Sequence, residues 1–402
     1  MVRSYKANKL SKLGRRNFIK ILSGLGISGA ALAYMDNKTL AEATSNPEDE
    51  VPRLERLEHT NHEAILTGDQ SPEREAIYYT LPKDEWAHIE GSIDAMHNTE
   101  NLLRSELESF DGIRVSVREQ NGSTRNRIIS VKYTEYERAD GKIENPEASR
   151  EQVQEILPDM IEGAVGGEER DLITEDFPIE IVDAESRLDF NYEHRYRDPG
   201  VPGGAALHTC TSGTPAYNFD DGRYHVTTAG HCTEEKGETF YQPDEVSTDI
   251  IGQVYDRRYW GGGSGPVFDA ATIQLADSVD HHYDLASNNG DNSYRNLEIN
   301  GIYAWDAIKD GIDKEFLGKQ GKTTGIDSGL IREVYEAEND PYQKSFEIDA
   351  DRAGGDSGGP HYRETGNNTI VIAGLHHGVL SDSGYAGATA MEPIEELFNM
   401  SV

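Results

Sequence analysis

From Cys210 to Met400 the sequence is a succession of short β-rich runs cut apart by Gly, Asn and Asp: GRYHVTTAG, IIGQVYD, PVFDAATIQL, SGLIREVYE, KSFEIDA and NTIVIAGLHHGVL. Dense short strands with little helical period restrict this stretch to an all-β barrel or sandwich of about 200 residues. The preceding part reads differently. EWAHIEGSIDAMHNTENLLRSELESF places Ile89, Ile93, Leu102 and Leu103 at helical steps. GIRVSVREQ and RIISVKYTEY alternate on either side of Asn121-Gly122, which predicts a hairpin. ASREQVQEILPDMIEGAV reads as an amphipathic helix interrupted by Pro158, and FPIEIVDAE as a further strand. Residues 85–185 are thus expected to form a small α+β unit. Tyr34 to Tyr79, polar and acidic without clear period, is expected to be mostly linker with some helix.

The chain carries 73 Asp+Glu against 38 Lys+Arg, a formal net charge of -35. That sign argues against nucleic acid as a partner, since phosphate must be neutralised by Lys and Arg, and against an anionic membrane surface. The acids are dispersed, which marks a solvated surface rather than a docking tail. The composition resembles that of proteins from salt-loving archaea. Self-repulsion in dilute buffer then implies a requirement for high salt.

Near the N-terminus, SKLGRRNFIK precedes an apolar run from Ile21 to Ala33. Arg15-Arg16 followed by Phe18 and Lys20 resembles a twin-arginine export signal, with a small-residue cleavage site at Ala31-Leu32-Ala33. The run is shorter than the ~20 residues of a membrane span. An uncleaved anchor is the other reading, and would keep the protein at the cell surface. The expectation is a signal segment over 1–33 and a secreted, extracellular protein, with the twin-arginine export machinery as a partner. Two cysteines, Cys210 and Cys232, argue against a catalytic cysteine or a Cys-rich zinc site and allow one disulfide on export.

Three residues carry candidate chemistry. Ser357 lies in GGDSGGP, where glycines on both sides permit a tight turn that exposes the hydroxyl beside backbone N–H groups. Such donors stabilise an oxyanion, each worth roughly 2.7–4 kcal/mol in the transition state. His231 lies in TTAGHCT, and an imidazole can take the serine proton and return it to the leaving amine. A carboxylate is needed to fix the imidazole. Asp269, in GPVFDAATIQL, begins an apolar strand that would bury it, whereas Asp249, Asp256 and Asp277 read as surface acids.

TAGHCT followed by GDSGGP resembles the trypsin-like (chymotrypsin-fold) serine proteases. VPGG from Val201, IIGQV from Ile250 and KQGKTTGIDSGLI from Lys319 are similar to segments of the streptogrisin and α-lytic protease branch. The resemblance covers 201–402. It implies a mainly β fold whose catalytic domain has two antiparallel six-stranded β-barrels, acting as a serine endopeptidase on proteins or peptides through an acyl-enzyme. Gly355 and Ser357 would give the oxyanion N–H groups, and Cys210 with Cys232 the disulfide. A bridge closing such a loop adds about 3 kcal/mol by chain entropy. No cofactor or metal is implied.

The branch is made with a pro-region that templates folding and blocks the cleft. Residues 34–200 occupy that place and are expected to act as the domain's own intramolecular chaperone and inhibitor, with processing between Tyr196 and Val201; the other reading is an accessory domain that stays attached. A template suits barrels built from non-local contacts, which fold slowly. The branch's cysteine shortly before the serine is missing, with Asp351 or Arg352 in its place. Two readings of the substrate pocket therefore compete. Asp351 stands where trypsin carries its Lys/Arg-selecting acid, while GLHHG resembles glutamyl endopeptidases and aligns His376 with their acid-binding histidine. A broad or apolar preference is the third. The rival to catalysis is a non-catalytic binding protein on the same scaffold, which would usually have lost a triad residue. The order His, Asp, Ser departs from that of esterases, and no HExxH is present.

Overall fold

The computed structural model describes residues 50–66, 71–110, 113–119, 127–137, 143–144, 148–165, 173–185, 201–243, 245–259, 268–287, 294–378 and 385–402. The expected export signal, the expected linker as far as residue 49, the expected Asn121-Gly122 turn and residues 196–200 of the expected processing segment lie outside them.

Where linker was expected, two strands are found. β1 (Glu50–His59) and β2 (Arg74–Pro82) pair antiparallel, with the short helix His62–Leu66 between them. The pairing holds because Val51, Leu54 and Leu57 enter the core, helped by a bulge between Leu54 and Arg56 that resets which residues face inward. Next come the helix Lys83–Glu106, β3 (Ile113–Glu119), β4 (Arg127–Glu137) and the short β5 (Ile143–Glu144). The helix Arg150–Ile156 starts on a capping box between Ser149 and Gln152. It does not resume beyond Pro158. β6 (Met160–Val165) runs antiparallel to β7 (Ile173–Glu185), so sheet pairing overrides the helical spacing of MIEGAV. β7 also lies parallel to β4.

The second half is almost entirely strand, in the order β8 (Val201–Gly203), β9 (Pro215–Asn218), β10 (Arg223–Thr228), β11 (Thr239–Tyr241), β12 (Ile250–Tyr259), β13 (Asp269–Leu275) and β14 (His281–Leu285). β15 (Glu298–Tyr303) leads into the helix Trp305–Asp310, then β16 (Phe316–Gly321), β17 (Gly325–Ala337), β18 (Asp340–Ile348), β19 (Pro360–Gly366), β20 (Thr369–Gly378) and β21 (Ala386–Ala390). The helix Met391–Phe398 and β22 (Met400–Ser401) follow.

The protein is mainly β. One six-stranded sheet runs β11-β12-β13-β10-β9-β22, over a core that includes Val226, Phe240, Val254 and Ile273. In the other sheet β19, β16, β17, β18, β21 and β20 close into a six-stranded ring. Two strands, β17 within this ring and β15 outside it, join the upstream half. β3 pairs with β17 at Val117↔Val334, and β1 pairs with β15 at Leu57↔Ile302. The sheet is thus continuous across the sequence boundary at residue 201.

Candidate active site

β10 ends at Thr228, and the chain turns through a 3-10 segment, Gly230–Cys232, that presents His231. Only glycine fits at position 230, because a Cβ there would lie 2.3 Å from the Arg258 carbonyl oxygen. Asp269 opens β13 with no solvent exposure, as its place ahead of an apolar run predicts. The His231 backbone N–H donates to its Oδ1 at 2.8 Å, and the ring Nδ1 bonds its Oδ2. Asp269 in turn donates its backbone N–H to Thr389 Oγ1 at 3.1 Å, which ties β13 to the second sheet.

Burial alone would push the Asp269 carboxyl up. His231, through charge and hydrogen bond, and then the charge of His377 outweigh it and hold the group below the usual carboxylate range. The ion-pairing imidazole is therefore anchored through Nδ1, and proton exchange with a reactant falls to Nε2. The other acids weighed in the sequence sit elsewhere: Asp256 pairs with Lys236, and Asp277 with Arg223, at the surface.

Ser357 is buried in the turn Gly354–Gly359, where Gly355 and Gly358 take φ of 93° and 88°. These left-handed values require glycine and let the turn fold tightly around the serine. Thr211 fastens it. Its N–H donates to the Ser357 carbonyl at 2.8 Å and its hydroxyl to the Gly355 carbonyl at 2.7 Å. Thr211 follows Cys210, which is disulfide-bonded to Cys232, the neighbour of His231. A Cβ on Gly358 would meet Thr228 Oγ1 at 2.3 Å, so the serine turn also lies directly against the strand that leads to the histidine. The first sheet supplies His231 and Asp269, and the second supplies Ser357.

Beneath the turn lies an ion pair that the sequence did not disclose. Asp356 points inward, accepting from Lys319 Nζ and Thr324 Oγ1, both at 2.7 Å, and from the N–H groups of Thr323, Thr324 and Ala353. Burial would raise its carboxyl, but the charges of Lys319 and His376, with hydrogen bonds from Lys319 and Thr324, hold it below the usual range. Lys319 sits in KQGKTTG, whose sequence signal was that of a hairpin alone.

Of the two pocket candidates, Asp351 has an exposed side chain, while its carbonyl accepts from Lys319 and its N–H donates to Asp327. His376 is 1 % exposed. Its carbonyl accepts from Gly358 at 2.7 Å and its N–H donates to Gly359 at 2.8 Å, which docks β20 on the serine turn. Behind it stands His361, for which the sequence carries no distinct signal. The two rings stack at 5.5 Å and 9°, with His361 Nε2 and His376 Nδ1 3.3 Å apart. Burial, reinforced by His376, holds the His361 ring far below the ordinary imidazole range.

No family model matches the chain, and no curated protein does. Solved structures do match. One is a glutamic-acid-specific serine protease described as using a histidine triad in substrate binding, 22% identical over 50% of this chain and 100% of that one, with a TM-score of 0.36. Protease A of Thermobifida fusca is 20% identical over 50% of this chain and 97% of its own, at a TM-score of 0.37. A Cellulomonas bogoriensis chymotrypsin is 20% identical over 50% and 98%, at 0.35.

Proposed function

We propose that this protein is a serine endopeptidase in which Ser357 is the nucleophile, His231 the general base and Asp269 the group that orients it. The observation that carries the reading is the buried His231–Asp269 pair, with the Ser357 turn fastened through Thr211 to the residue bonded to His231's neighbour. In this scheme Ser357 Oγ attacks the scissile carbonyl while His231 Nε2 takes its proton. Asp269 keeps Nδ1 protonated and stabilises the imidazolium. The N–H groups of Gly355 and Ser357 hold the oxyanion. His231 then returns the proton to the leaving amine, and water hydrolyses the acyl-enzyme. The enzyme is made as a precursor, exported through the twin-arginine route, and cut upstream of Val201.

The buried His361–His376 pair favours an acidic side chain before the scissile bond. A carboxylate that reaches His376 would meet an imidazole whose Nδ1 is engaged by His361 Nε2 at 3.3 Å, and would bond it through Nε2, whereas the exposed Asp351 gives little support to Lys or Arg selection. The test is cleavage of a peptide series differing only at that position, in multimolar salt. Glu should exceed Lys and Phe by at least tenfold in kcat/KM, and Ser357→Ala should abolish all cleavage. Equal rates for Lys and Glu would end the specificity reading, and cleavage by Ser357→Ala would end the mechanism.

A further inference from the structure

Arg53, on β1, has no solvent exposure, and a buried charge of this kind is costly unless it is paired. Its Nε and Nη2 grip Asp310 at 2.9 and 3.0 Å, and Nη2 also reaches Glu90 at 2.8 Å and Asp306 at 3.4 Å. Lys309 Nζ closes the cluster on Glu90 at 3.0 Å. Tyr79 donates its hydroxyl to Asp310, and Arg127 donates to the Lys309 carbonyl at 2.8 Å. Arg53, Tyr79, Glu90 and Arg127 come from the upstream half; Asp306, Lys309 and Asp310 come from the helix after β15.

Apolar packing follows the same path. Val51, Leu54 and Leu57 share one core with Phe268, Leu285, Ile299 and Ile302. β1 and β15 approach so closely that a Cβ on Gly301 would stand 1.9 Å from the Leu57 carbonyl oxygen. Removing the upstream half would therefore bare a strand edge, uncover core side chains and leave Asp306 and Asp310 without their guanidinium partner.

We propose that the unit Glu50–Glu185 stays on the catalytic half as a permanent second chain after cleavage upstream of Val201, clamped by Arg53 to the helix Trp305–Asp310. This rests on the precursor reading above, but changes its outcome: processing nicks the enzyme without releasing its upstream half. The clamp sits on elements other than those that carry His231, Asp269 and Ser357, so retention and catalysis are separate questions.

The test uses the full chain with Ser357→Ala and a recognition sequence for a site-specific protease inserted between Asp198 and Pro199. After cutting in multimolar salt, size exclusion with light scattering should give one species of the uncut mass, which a denaturing gel resolves into two. Arg53→Met should lower the denaturant concentration at which the pieces part, and Asp310→Asn should do so too should Arg53→Met fail to fold by circular dichroism. Separate elution of the unsubstituted pieces overturns the proposal, as does a parting point that neither substitution moves. Because the cut is external and the nucleophile absent, the result is independent of whether the chain is a protease.

Discussion

Lys319 Nζ stands 2.7 Å from Asp356 Oδ2, and both side chains are buried. The pair ties β16 to the turn that carries Ser357, so the neighbour of the proposed nucleophile is held from inside the protein. Lys319→Met would leave Asp356 as an uncompensated buried charge. A loss of about 3–5 kcal/mol in stability is expected, together with a fall in kcat as the turn loosens. Lys319→Arg should recover much of both. Denaturant unfolding and steady-state kinetics check this.

Asp269 accepts from the His231 backbone N–H and bonds its ring Nδ1, and in the proposed mechanism it orients the ring and stabilises its charged form. Asp269→Asn preserves the shape but leaves the wrong ring nitrogen protonated, so kcat should fall by roughly 10⁴-fold with a much smaller change in KM. A loss shared equally by kcat and 1/KM would place Asp269 in substrate binding instead.

His361 is kept neutral in the folded protein by burial and by His376. Its folded pKa is below that of the unfolded chain, so as pH falls through about 6.5 the unfolded state takes up a proton that the folded state refuses. Wild type should therefore lose stability relative to His361→Gln below that pH, by up to about 1.4 kcal/mol per pH unit. A pH-independent difference between the two would contradict the assignment.

The candidate site is more legible in the sequence than the packing around it. GDSGGP and TAGHCT announce themselves because a tight turn demands glycines beside Ser357 and because His231 follows directly on a strand. Asp269 is readable because an apolar run after an acid implies burial. The importance of Lys319 was not readable, since its partner Asp356 comes from a distant turn that only the closed ring brings near. β1 was hidden for a related reason. Arg53 occupies an interior position that a polarity pattern assigns to solvent, and the bulge after Leu54 breaks the alternation. β6 reads as helix in the sequence because Met160, Ile161, Ala164 and Val165 are spaced as well for a helix as for a strand, and pairing with β7 decides for strand.

The Cys210–Cys232 bridge spans a sequence separation of 22 and ties the histidine turn to Thr211's neighbour. Replacing both cysteines by serine should lower stability by about 3 kcal/mol and reduce activity beyond the unfolded fraction, because the link between the His231 and Ser357 turns is weakened. Unchanged kcat in the folded variant would show that the Thr211 hydrogen bonds suffice.

With a net charge of -35, the folded state is stressed by self-repulsion when screening is removed. Dialysis from multimolar salt into dilute buffer should cost both activity and near-UV circular dichroism. Retention of both would remove the salt requirement.

The central claim is most directly tested by reacting the full-length protein and Ser357→Ala with a fluorophosphonate probe in multimolar salt, and reading intact masses of both. The account predicts one adduct on wild type, carried by a fragment of the size of residues 201–402, and none on Ser357→Ala. A folded wild type that takes no label, even after limited proteolysis of the upstream half, would contradict it.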